Sequence, residues 1–209
     1  MYLIDNTYFV NKLQLDGVLN SNNGVAEKLE SYIETYVIEL LQALFGYTDF
    51  EDLNSNITDG ALDNTAPQKW KDLINGKEYV KDGKTYFWRG LIYQNGNVKR
   101  SILANYVFCQ IMADLQTNNG TAVIDSKNAV KSVPRGHYVS VWNELAMEMK
   151  ENCTYQPVRT VVNGVVFTDY FQPNNNTYVT LATYLNDNKT DFAELTIPDL
   201  KILNSFDLQ

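Results

Sequence analysis

VAEKLESYIETYVIELLQALFG, residues 25 to 46, carries the strongest periodic signal in the chain. Val25, Leu29, Ile33, Tyr36, Val37, Leu40, Leu41 and Leu44 recur at steps of three and four, tracing one apolar stripe, while Glu27, Glu30, Glu34 and Glu39 fall mostly off it. Asn22-Asn23-Gly24 precedes the run and Gly46 stands where a C-terminal cap belongs. The pattern predicts an amphipathic helix over 25–46 with one buried face.

Working outward, Thr65 and Gln68 form a capping-box pair with Pro67 in the first turn, and Asn75-Gly76 ends a short helix whose buried face is Trp70, Leu73 and Ile74. Asp82-Gly83 between KEYV and KTYFW predicts a two-residue hairpin over 77–90. A third helix is expected from Val98 to about Leu115 with a broad apolar surface, and a fourth from Ser132 and Pro134 through HYVSVWNELAMEMKEN, with Val139, Trp142, Leu145, Ala146 and Met149 inward. Asn163-Gly164 turns a second hairpin in RTVVNGVVFTDYF, YVTLATYLNDNKTDFAEL holds room for one short helix, and IPDLKILNSFDLQ alternates apolar positions like an extended tail. The expected fold is therefore mainly α: a helical bundle of about four helices with an inserted β-hairpin and an extended or β C-terminal region. The expected division is a helical body over 1–155 with its hairpin at 77–90, then 156–209 as a C-terminal hairpin and tail.

The 209 residues suffice for one substantial core, and 44% hydrophobic with 20% charged residues describes a globular chain. A net charge of −8 argues against gripping nucleic acid, which needs a positive footprint. MYLIDNTYFVNKLQL lacks a basic leader and a long apolar run, and no stretch nears the ~20 apolar residues that span a bilayer, so a soluble chain made in the cytoplasm is expected, with no membrane partner.

Catalytic signatures are sparse. His137 is the only histidine, which excludes metal sites needing two imidazoles, and it reads as a surface or capping residue. Cys153 lies about 24 Å along the same expected helix, too far to pair with it. Cys109 reads as a small buried hydrophobe. DFEDL and LNDNKTDFAEL place carboxylates close together, but the second lacks the central glycine and the terminal glutamate of a calcium loop. No phosphate-loop, dinucleotide or nucleophile-elbow motif occurs. No enzyme activity, cofactor, catalytic residue or metal site is expected.

The aromatics and scarce arginines point to contact instead. Tyr86, Trp88 and Arg89 are residue types enriched where proteins bind one another, and in a period-2 strand Tyr86 and Trp88 share one face while Phe87 and Arg89 share the other. Arg89 is thus expected to meet a partner's carboxylate. Arg135 and Arg159 join these three as expected interface residues.

The order LLQALFG, WKDLINGKEYVKDGKTYFWRGL, KRSILANYVFCQIM and TNNGTAVI, over roughly residues 25 to 155, resembles the head-to-tail connector, neck or ring, proteins of tailed bacteriophages, especially those of crAss-like and other Bacteroidetes-infecting phages. ILNSFDL is similar to that family's C-terminal Asn-Ser/Thr-Phe-Gly segment, with Asp207 where the family has glycine. The resemblance implies a virion protein forming a homo-oligomeric ring, commonly a dodecamer, that contacts the portal protein and other neck or tail proteins and lets DNA pass without binding it specifically. The competing readings are another head-closure or tail-completion factor, and a small intracellular enzyme or ligand-binding domain.

Overall fold

The computed structural model describes residues 3–15, 25–95, 98–119, 135–149, 159–162, 165–168, 178–196 and 200. Five helices lie among them: α1 (Val25–Ser55), α2 (Gln68–Asn75), α3 (Ile102–Asn119), α4 (Arg135–Met149) and α5 (Leu181–Asp187). Strands β1 (Ile57–Thr58) and β2 (Ala61–Leu62), β3 (Lys77–Lys81) and β4 (Lys84–Trp88), β5 (Ile92–Asn95) and β6 (Val98–Ser101), β7 (Arg159–Val162) and β8 (Val165–Thr168) form four separate two-stranded antiparallel sheets.

This corrects the expected fold class. Among the described residues five helices alternate with four separate two-stranded hairpins, in place of a bundle of about four helices with one inserted hairpin and an extended C-terminal region. The reason lies in element length: α2 has eight residues and α5 seven, so neither holds together without packing on a hairpin. Residues 178–196 also fold back as α5 and a strap that enters the common core.

The stripe of α1 is buried as its spacing demands: Ile33, Val37, Leu41 and Leu44 are at most 1% exposed. Gly46 interrupts the helix with φ 63° and ψ −169°, and a further helical stretch follows at once. That conformation suits only glycine. It also leaves the Leu44 carbonyl without its helical donor, and the N–H of Thr196 supplies one at 2.8 Å. The helix therefore does pause at Gly46, and the strap closes the gap.

Against α1 pack α3 and, beyond it, α4. The hydroxyl of Tyr36 on α1 hydrogen-bonds Asp114 on α3. α3 starts at Ile102 and not at Val98, because Val98 to Ser101 pair back onto Ile92 to Asn95. Ser101 caps it: its Oγ accepts from the N–H groups of Leu103 and Ala104 and donates to the Leu91 carbonyl at 2.8 Å. In α2 the expected capping box does not form. The helix starts at Gln68, whose amide instead donates to Asp72 at 2.6 Å. The N-terminal segment lies in the same core through Leu3, Ile4, Tyr8, Phe9, Leu13 and Leu15.

Candidate functional site

The β3–β4 hairpin stands on a locked base. Gly76 (φ 93°) and Gly90 (φ 92°) cross so closely that a Cβ on Gly90 would sit 2.4 Å from the Ile74 carbonyl oxygen. Any side chain there would push the two chain segments apart. The register pairs Lys77 with Trp88, Tyr79 with Tyr86 and Lys81 with Lys84, which places these side chains on one face and Glu78, Val80, Thr85 and Phe87 on the other.

The first face is the inner one at its base. Trp88 is 3% exposed, donates its indole N–H to the Leu73 carbonyl at 2.9 Å, and stacks on Tyr184 of α5 with ring centres 5.3 Å apart. Tyr79 meets Tyr184 edge-on and donates to Asp187 at 2.7 Å, which together with burial raises its hydroxyl pKa. Lys81 also bonds Asp187, Lys77 pairs with Asp72 at 2.8 Å, and Tyr86 stacks on Tyr79. Four aromatic rings thus fasten the hairpin to α5.

The second face looks outward. Val80 is 70% exposed, and Phe87 meets the exposed Tyr178 edge-on at 5.2 Å. The N–H of Val179 bonds the Phe87 carbonyl, so the outer edge of β4 is partly covered. On β3, alternation in an antiparallel pair turns the main-chain groups of Glu78 and Val80 away from β4. Among the described residues no strand pairs with that edge.

Arg89 has a carboxylate partner within its own chain. Its Nη2 donates to Glu148 of the same chain at 3.0 Å, with the two side chains 35% and 13% exposed. Burial pushes the Glu148 carboxyl up to about 7; the adjacent Arg89 and Arg100 pull it down, and Glu144 pushes with burial. Trp88 too serves the core, being almost fully buried. Tyr86, Trp88 and Arg89 lie together on one hairpin segment, and of the three Tyr86 and Arg89 stay partly accessible. Arg135 opens α4 and Arg159 opens β7, and their side chains lie outside the described residues.

A second cluster comes from DFEDL. Asp49, 3% exposed, accepts from Lys69 at 3.2 Å and from the N–H of Glu194 at 3.0 Å. Asp52 accepts from Lys69 at 3.0 Å and from the indole N–H of Trp70 at 3.0 Å. The Lys69 hydrogen bond holds the Asp52 carboxyl below the usual range. Lys69 lies over the Trp70 ring at 4.5 Å, and Phe192, Trp70 and Phe45 form a triangle of rings with centres 5.6 Å apart. These carboxylates clamp α1, α2 and the strap together. Pattern reading found the pair but not its partners, which lie up to 145 residues away.

His137 bonds the Lys12 carbonyl and meets Phe108 edge-on at 5.6 Å, holding the N-terminal segment to α4. Burial pushes the Cys109 thiol up to about 12, so it stays protonated. Among the described residues no three His, Cys, Asp or Glu side chains converge on a metal position, and no helix is long and apolar enough to cross a membrane. No family model, curated protein or solved structure matches the chain.

Proposed function

We propose that this chain is a structural subunit of a phage neck, one that assembles with copies of itself into a ring joining the portal to the tail, and that it works by shape and contact without catalysing a reaction. The observation that carries the reading is the β3–β4 hairpin: its base is immobilised by aromatic stacking and a glycine crossing, while Val80 on its outer face is 70% exposed and no strand pairs with the β3 edge among the described residues. A rigid element with an open edge suits strand addition between subunits. The order of motifs, which resembles the connector family, supports the virion setting. A chain of net charge −8 supports free passage of DNA along a ring lumen, because like charges do not adhere.

Negative-stain imaging of the purified protein mixed with its portal tests this. Rings stacked on the portal are expected, and isolated particles beside bare portals would refute the reading.

A further inference from the structure

β7 and β8 form a sheet of two four-residue strands. Strand alternation puts Val161 and Val166 on one face and Val162, Val165 and Phe167 on the other, so apolar residues stand on both. Among the described residues no third strand joins this sheet, and no other element makes more than a passing contact with it. A lone two-stranded hairpin is marginal in water, and a third strand or a packed face stabilises it.

β8 is its open edge. Val162 and Val165 pair across two residues and so exchange both main-chain bonds, and alternation then turns the N–H and C=O of Val166 and Thr168 outward. β8 reads VVFT, with none of the charges or prolines that blunt exposed edges. β7 is better guarded, since it starts at Arg159, two residues after Pro157.

The matching edge is β3, whose main-chain groups face outward at Glu78 and Val80. Its lysines do not guard it, because Lys77 is held by Asp72 and Lys81 by Asp187 of the same chain. Val80 is 70% exposed. Within one copy β3 and β8 belong to separate sheets.

We propose that β8 of one copy adds antiparallel to the β3 edge of a second copy, in the register that sets Val166 opposite Val80 and Phe167 opposite Tyr79. The result is a four-stranded sheet shared by two subunits. This rests on the ring reading and deepens it by naming the two strands, because a contact between two different edges repeats head to tail and closes when its rotation permits. The register joins outward main-chain groups to outward ones and sets β-branched and aromatic residues across from their like. Pairing β3 with a second β3 about Tyr79 would instead set Lys77 opposite Lys81, like charge against like.

Proline at either edge tests the contact, since it removes an outward N–H that the chain's own hairpin does not use. Sedimentation velocity is run on the wild type, on V80P, on V166P and on their equimolar mixture, each alone and with the portal, after circular dichroism has compared their folds. Each variant alone is expected to associate at least about tenfold more weakly. The mixture is expected to stop at dimers, because the intact β3 of V166P takes the intact β8 of V80P and the two remaining edges are blocked. Wild-type-like assembly of either variant, or a mixture without dimers, overturns the contact, and the ring reading stands if the wild type still forms rings. Where a proline variant fails to fold, cysteine cross-linking decides. Directly opposite residues lie within disulfide range, so oxidising a mixture of V80C and V166C is expected to give linked dimers that neither variant gives alone. A mixture that stays unlinked overturns the contact. A wild type that never associates overturns both readings.

Discussion

Arg89 of the hairpin and Glu148 of α4 form a partly buried ion pair at 3.0 Å inside one chain. Arg89→Glu would set a second carboxylate against a buried one, so it is expected to destabilise the fold by about 3–5 kcal/mol. Urea denaturation followed by circular dichroism measures this. A variant as stable as the wild type would mean that the pair does not hold α4.

The same pair predicts a pH dependence. A carboxyl raised from 4.5 to about 7 binds a proton more tightly in the folded state than in the unfolded one. Its contribution is full below about pH 4.5 and is lost as the pH rises through 7, so this group makes stability fall over that window, by about 1–3 kcal/mol. Glu148→Gln should flatten the wild-type slope between pH 5 and 8 in denaturant midpoints. An unchanged slope would assign it to other groups.

Trp88→Ala is expected to cost about 3–5 kcal/mol, through the cavity left against Tyr184. Trp88→Phe keeps much of the packing and removes one of the two donors to the Leu73 carbonyl, which retains the Leu91 N–H at 3.1 Å, at about 0.5–1.5 kcal/mol. Thermal or chemical unfolding of the two variants should rank them in that order.

At the break in α1, a Cβ on Gly46 would lie 2.1 Å from Glu194 Oε2 and 3.0 Å from Glu194 Cβ. Gly46→Ala should destabilise by about 1–3 kcal/mol from its backbone conformation alone, plus the clash. Adding Glu194→Ala should recover part of the loss and not all of it, because the positive φ remains. Full recovery would show that the backbone conformation costs nothing.

Lys69→Met keeps the aliphatic stem over Trp70 but strips Asp49 and Asp52 of their cation. Leaving Asp49 buried with the Glu194 N–H as its remaining donor is expected to cost about 3 kcal/mol. Hydrogen exchange of the Glu194 and Thr196 amides should rise with it. Amides that stay protected would place the strap's anchor elsewhere, in Phe192.

How much of this was legible beforehand follows contact distance. The 25–46 stripe, the 77–90 hairpin and the buried face of α2 were readable, because each depends on neighbours within a few residues. The β5–β6 hairpin was not read, although Val98 and Asn95 pair across two residues, because the apolar helix that follows dominated the pattern. The intrachain partner of Arg89 is hidden from the sequence for a different reason. Arg89 lies just beyond the end of β4, and only folding brings Glu148, 59 residues away, to it.

The most direct measurement of the central claim is the native mass of the chain mixed with purified portal. The account predicts a species heavier than the portal by a whole-number multiple of 23.9 kDa, in one defined stoichiometry. A free 23.9 kDa species beside unchanged portal at every concentration would contradict it.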